Sequence, residues 1–435
     1  MTERLTSTKP SGGLTKSTVM VTGATGFLGC RLVEYLALGL NANVVALARS
    51  FGSPGMLRLA RLPVKVVRAD LLNQAEVISA AKDCDYIVHC AYGNRGEEKT
   101  RRRITVDGTA NVLEAGRQSS SVSRIVTIST STVHATPDGQ TITEDAPFFR
   151  SGRVYTDSKI EAEKVALDYH RRFGLPVAVL RPTRIFGPWS EPYGTRVVSE
   201  IMNRSITLIN GGGAKANLVY VDNVIAAILL CLTRAESSGQ AFLVNGDEKV
   251  TWKEFYEGFQ SVLLGAPPLR SGTIQEIKQI RANDRRRMVT SSASNSWNIV
   301  KSGFPRLYHE VPIIQGSAKK VYAKLPQGAK KRAKGFVGKP GAASSSSPST
   351  SVADSAQDGE NDITKVPELW RAENMAEDAW FSSDKIKKIL GYTQPVSFEE
   401  AMQSTKEWLG WLGLTVNSAD ASVTSPAQVS ATPRS

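Results

Sequence analysis

A chain of 435 residues with 41% hydrophobic and 22% charged side chains has the composition of a globular protein and the length for a large α/β domain with a smaller companion. The longest apolar candidate, VIAAILLCL from Val224, falls short of the ~18 residues of a membrane span, and the polar opening MTERLTSTKPSGGLTKS lacks the apolar core of a secretory leader, so a cytoplasmic location is expected. The net charge of +13 sits largely in tracts such as 101–103, 285–287 and 329–334, with no nucleic-acid module around them; solvated faces and tails are expected there, and no nucleic-acid partner.

After a flexible N-terminus over 1–16, short β-branched runs alternate with helical patterns. This is the signature of a parallel sheet built from βαβ units. The strands are expected at 18–23, 43–49, 64–70, 86–91, 124–130 and 176–182. The amphipathic helices between them fall at 30–38, 75–82, 108–118 and 159–173. These predict an α/β fold: a doubly wound parallel Rossmann sheet over 17–183, followed by a smaller C-terminal substrate-binding lobe over 184–316 that can interleave with the sheet. Residues 317–365 read as a linker, basic and then Ser/Pro-rich, with disorder expected over 341–361. The lobe resumes over 366–414, where a Lys-rich helix ends at Gly391 and Ser397 caps a last helix. A flexible tail follows over 415–435.

Cys30, Cys84, Cys90 and Cys231 lie in or beside apolar runs without ligand spacing. They read as reduced core residues, and no metal site is expected. His134, His170 and His309 have no matched partners in the sequence and read as structural.

The run TVMVTGATGFLGCRLVEYL sets Gly23, Gly26 and Gly29 between a strand and a helix, with Thr25, Phe27 and Leu28 in the same turn. Gly23 permits the tight turn, Gly26 lets backbone N–H groups approach a pyrophosphate, and Gly29 allows close helix–strand packing. An acidic residue at the end of the second strand would accept from the ribose hydroxyls of NAD, but Ala48 and Arg49 stand there. Arg49 can pair with a 2′-phosphate, which tilts the choice toward NADP over NAD; the alternative is an Arg49 that points to solvent or stacks on adenine. Asp70 and Leu71 would flank the adenine, unless Asp70 merely caps the next helix.

Tyr155 and Lys159 are spaced to project from one helix face a turn apart. A neighbouring ammonium group and an oxidised nicotinamide would bring the phenol into working range as an acid/base. Thr130 ends the preceding buried strand, where its hydroxyl can hold a substrate oxygen.

With TGATGFLG (22–29), ADL (69–71), HCA (89–91), VDGTANVLEA (106–115), STSTVHA (129–135), YTDSK (155–159), LRPTRIFGP (180–188), VYVDNV (219–224) and FSSDKIKKILGY (381–392), the chain resembles the extended short-chain dehydrogenase/reductase superfamily, in its NAD-dependent epimerase/dehydratase branch. The resemblance implies catalytic roles for Thr130, Tyr155 and Lys159, with Lys159 also holding the nicotinamide ribose and Ala91 beside the cofactor. Thr105 stands where the family often has Asn, which removes a water relay through that amide. Ser131 and Thr132 replace the Asp-Glu pair of nucleotide-sugar 4,6-dehydratases, and neither is a carboxylate; dehydratase activity is therefore not expected. What remains is hydride transfer at a secondary alcohol or ketone, by an epimerase acting on a nucleotide sugar, the favoured small-molecule partner, or by an NADPH-dependent reductase like the 3β-hydroxysteroid dehydrogenases or dihydroflavonol reductases. A non-catalytic NAD(P)-binding sensor or structural protein is the third reading, against which the intact Tyr155 and Lys159 argue. A homodimer is expected, and residues 315–336, basic with interspersed apolar side chains, suit a weak contact with an anionic membrane surface. The loops 137–150, 189–196 and 289–306 are expected to shape the substrate pocket.

Overall fold

The computed structural model describes residues 14–283 and 368–415. The linker 317–365, the segment 315–336, the pocket loop 289–306, His309 and the tail beyond 415 lie outside the described residues. One body contains the residues up to Ile274 and from Pro367 onward; the described residues of a second unit, 275–283, are helical. No helix among the described residues is long and apolar enough to cross a membrane.

In chain order the first half alternates β1 (Thr18–Thr22), α1 (Phe27–Glu34), β2 (Asn43–Ala48), α2 (Pro54–Leu59), β3 (Lys65–Arg68), α3 (Gln74–Ala81), β4 (Tyr86–His89), α4 (Glu98–Gln118) and β5 (Arg124–Ile128). Then come β6 (Thr141–Ile142), α5 (Val154–Phe173), β7 (Val177–Pro182), β8 (Arg184–Phe186), α6 (Arg196–Met202), β9 (Thr207–Ile209), β10 (Leu218–Tyr220), α7 (Val221–Thr233), β11 (Ala241–Val244), α8 (Trp252–Gln260) and β12 (Arg270–Gly272). The C-terminal part supplies α9 (Leu369–Ala376), β13 (Trp380–Phe381), α10 (Asp384–Leu390) and α11 (Phe398–Trp411).

Seven strands form the central sheet in the order β11-β7-β5-β4-β1-β2-β3, all parallel, with Met20 level with Val45 on one side and Ile87 on the other. Helices cover both faces, so the inner strands are buried along their whole length, and every residue of RIVTI in β5 and VAVLRP in β7 is buried, Arg124 and Arg181 included. The chain winds outward from β1 to β3, crosses back to β4 and winds the other way. That reversal opens a crevice beyond the carboxyl ends of β1 and β4, where ligands of open α/β sheets bind. Val112 and Leu113 of α4 and Ala166 of α5 share a buried cluster with Ile87, Ile125 and Val177.

The structure departs from the sequence expectation in several places. β11, drawn from the stretch assigned to the lobe, pairs with β7 and forms an edge of the main sheet, the interleaving that the sequence left open. α4 begins ten residues earlier than the apolar pattern suggests, because its first turns carry Arg101–Arg103 on an exposed surface. Residues 14–16 are not a free end: Leu14 is buried, and the Lys16 N–H donates to the Asn41 carbonyl. At the C-terminus the helix signals hold, since Gly391 closes α10 in the left-handed conformation (φ 67°). Ser397 and Glu400 form a reciprocal capping box on α11.

Candidate active site

The turn after β1 is shaped by what its glycines lack. Gly23 has φ 68°, and a Cβ there would fall 2.8 Å from the Ala91 nitrogen; a Cβ on Gly29 would fall 2.2 Å from the Gly23 carbonyl oxygen. The turn therefore lies directly against the end of β4 on one side and the first turn of α1 on the other. Gly26 is the N-cap of α1 and offers no side chain to the first amides, and no acidic residue occupies the first turn. The N–H groups at Phe27 and Leu28 thus open a positive helix end toward the crevice, which fits the pyrophosphate of a dinucleotide. The Thr25 carbonyl is packed close to the backbone at Gly55, the second residue of α2. Arg49, just beyond β2, is exposed and has no polar partner among the described residues. Asp70 turns its carboxylate to its own loop, accepting from the Leu72 N–H at 3.0 Å. Leu71 is half-buried, and its carbonyl accepts from the Asn111 side chain at 2.7 Å.

On the far side of the β4 end, Thr130, Tyr155 and Lys159 come together. Thr130 follows β5 and is buried; its hydroxyl accepts from the Thr132 N–H at 3.3 Å. α5 starts at Val154, which sets Tyr155 in its first turn and Lys159 one turn deeper. The Lys159 ammonium donates to the Ile128 carbonyl at 2.7 Å. Burial pushes it down to about 8, partly offset by Cys90 and Glu163. Burial raises the Tyr155 phenol well above its ordinary value, with Tyr92 adding to the shift and a hydrogen bond with Thr130 opposing it. Ala91 touches the glycine turn, and the next residue, Tyr92, touches Tyr155 with ring centroids 5.4 Å apart. Two residues of one loop thus join the cradle to the phenol.

Sequence reasoning missed the polar supports of this site. His89 lies between Thr22 (2.7 Å) and Thr109 (3.0 Å), and burial drives it down to about 3. Thr109 donates its own proton to the Thr105 carbonyl, so it accepts from His89 Nε2, which leaves Nδ1 to accept from Thr22. Thr105, at the family's Asn position, donates to the Arg101 carbonyl and accepts from the Gly93 N–H, both at 3.0 Å. Glu163, one turn beyond Lys159, is fully buried and pairs with Arg181 of β7 while accepting from Ser129 at 2.7 Å. The unpartnered reading of the histidines is corrected: His134 Nε2 lies 3.0 Å from Arg181 and its Nδ1 3.3 Å from the Pro147 carbonyl, while His170 Nδ1 meets the Leu175 carbonyl at 2.9 Å. The available signal was a charged residue, Arg181, inside the buried run PVAVLRP, together with Glu163 four residues beyond Lys159 on the same face of α5.

The lobe supplies aromatic side chains. Tyr193, close enough to Tyr155 to raise its phenol further, is backed by the buried Arg371 guanidinium 5.5 Å from its ring centre. Arg371 is committed to Glu200 and the Tyr256 hydroxyl, each at 2.9 Å. Trp189, with φ 70°, packs on Trp408 and Trp411 at 5.7 and 5.8 Å.

A family model described as NAD dependent epimerase/dehydratase family matches residues 19–245. The 2-alkyl-3-oxoalkanoate reductase of Shewanella oneidensis is 30% identical over 250 residues, 54% of this chain and 63% of that protein. The decarboxylating sterol-4-alpha-carboxylate 3-dehydrogenase of Mus musculus is 28% identical over 247 residues, 54% of this chain and 66% of the relative. The chain thus aligns with less than two thirds of the length of either relative. Among solved structures, the UDP-glucuronic acid 4-epimerase of Bacillus cereus in complex with NAD has a TM-score of 0.58 at 16% identity, covering 91% of this chain and 99% of that one, a likeness of fold. Strand order, glycine turn and family model agree that the chain belongs to the NAD-dependent epimerase/dehydratase family, a branch of the extended short-chain dehydrogenases/reductases.

Proposed function

We propose that the protein is an NAD(P)-dependent oxidoreductase that reduces a ketone to a secondary alcohol, with Tyr155 as proton donor, Lys159 as its charged neighbour and Thr130 as the hydroxyl that holds the substrate oxygen. The observation that carries this reading is the meeting of these three side chains beyond β5, one loop away from the glycine turn. The cofactor would be held by the amides at Phe27 and Leu28 and by Lys159, and when bound its nicotinamide supplies the hydride. Tyr155 is protonated at neutral pH because burial opposes its charged form, which suits donation to a ketone oxygen. The phenolate left behind is stabilised by the Lys159 ammonium, which is charged below about pH 8. Arg49 at the end of β2 supports NADP, as a free guanidinium suits a 2′-phosphate.

The pocket wall beside Tyr155 is aromatic, through Tyr92 and Tyr193, and the buried cation behind it is neutralised by Glu200. This wall, with the reductase and dehydrogenase relatives, supports a ketone on a largely apolar skeleton. The nucleotide-sugar epimerase reading rests on FGPWSEPYG and LVYVDNV, and the two differ in cofactor turnover. Steady NADPH oxidation with a panel of 3-oxo acids and 3-oxo steroids, lost in Tyr155→Phe and weakened toward the NADH level in Arg49→Ala, supports the reductase. A purified protein that retains stoichiometric nicotinamide and interconverts nucleotide sugars overturns it.

A further inference from the structure

Tyr92 has so far served only as a wall of the pocket, yet it touches both members of the acid/base pair. Its ring meets Tyr155 edge-on, with an interplanar angle of 69°. It also turns its face to the Lys159 ammonium, 5.2 Å from the ring centre. Lys159 is 5% exposed. Among the described residues no carboxylate pairs with it, because Glu163, one turn along α5, is taken by Arg181 and Ser129. The other groups around it carry no compensating charge near neutrality. His89 and Cys90 at the end of β4 are neutral, the first driven down to about 3 and the second pushed up to about 12. Burial keeps the Tyr155 phenol protonated, and from β5 there is only the Ile128 carbonyl. The negative face of an aromatic ring attracts a cation, and Tyr92, itself 41% exposed, turns such a face to the buried end of Lys159.

We propose that Tyr92 is a positioning residue for the Tyr155–Lys159 pair: its ring face holds the Lys159 side chain charged and in place, while the same ring packs T-shaped against the Tyr155 ring. The proposal rests on the reading of Lys159 as a donor to the bound cofactor. Removing the ring takes one partner from the cation and leaves it the Ile128 carbonyl, and Lys159 then loses its proton at lower pH. The phenolic hydroxyl is not needed for this role, since phenylalanine has the same kind of face.

The test is the binding of NADPH to the full-length protein, read by nucleotide fluorescence between pH 6 and 9.5. In the unaltered protein, affinity falls as Lys159 loses its proton near pH 8. In Tyr92→Leu the midpoint moves down by about half a pH unit, the size of a cation–π contact on a part-exposed ring. In Tyr92→Phe it stays. If leucine prevents folding, judged by circular dichroism, Tyr92→Met takes its place as a side chain of similar reach without a ring. Lys159→Met separates the two readings. If it binds NADPH with the original pH dependence, the assignment of Lys159 to the cofactor fails. If it flattens the profile while the ring-less variants titrate with the original midpoint, the proposal for Tyr92 is overturned and the assignment of Lys159 stands.

Discussion

His89 is buried in neutral form between two threonine hydroxyls, so charging it requires breaking that arrangement. Its folded value lies well below that of a free histidine, at about 3. The unfolded chain therefore binds the proton first as pH falls. Stability from this site is complete above about pH 6.5 and is lost on the way down to pH 3, a loss on the order of 4 kcal/mol across the window. Urea denaturation at stepped pH should show that slope, and His89→Gln should lack it; an unchanged slope would remove His89 as its source. Gly29 is a second single-residue test. A methyl group there would fall 2.2 Å from the Gly23 carbonyl oxygen, so Gly29→Ala must push α1 away from the turn. NADPH affinity should drop about tenfold, the equivalent of ~1.4 kcal/mol, with the circular dichroism spectrum retained. Tyr155, Lys159, Thr130 and the glycines are legible in the sequence because helix periodicity and strand ends fix their places. His89 and Tyr92 are not, since their partners at 22, 109, 155 and 159 come from other elements.

α5 and β7 carry a buried ion pair directly behind the site. Glu163 accepts from Arg181 Nε at 2.9 Å and Arg181 donates onward to the Glu144 carbonyl at 3.1 Å. The Arg181 guanidinium also lies 5.3 Å from the centre of the Phe148 ring. Glu163→Gln leaves a buried cation without its counter-charge and should cost about 3–5 kcal/mol. Replacing both residues with methionine should cost less, and equal losses in a urea melt would show that the pairing is not what matters. Parallel strands announce themselves as short runs centred on Val, Ile and other apolar residues, which is why six of the seven central strands can be read directly. β11 is the exception because AFLV is short and preceded by lobe sequence, so only its pairing with β7 shows where it belongs. The start of α4 is hidden for a related reason: its first turns are polar and largely exposed, so apolar periodicity begins only where the helix reaches the core.

The last described stretch, 368–415, is joined to the sheet by amide side chains. Asn245, just after β11, accepts from Thr183 at 2.8 Å and donates to the Phe381 carbonyl at 3.0 Å, while its backbone N–H donates to Ser383 at 2.8 Å. Asn217 reaches the Ala379 carbonyl at 2.8 Å, and Asn223 the Val396 carbonyl at 2.8 Å. Arg371 from the same stretch backs Tyr193. Such a seam is invisible to sequence reasoning, because each asparagine by itself looks like a loop residue. It also means that the covalent thread between positions 283 and 368 is not what keeps the two parts together. Residues 1–283 and 368–435 produced as separate polypeptides in one cell should therefore co-purify and bind NADPH as a nicked protein, and Asn245→Ala should loosen that two-piece complex far more than it harms the continuous chain.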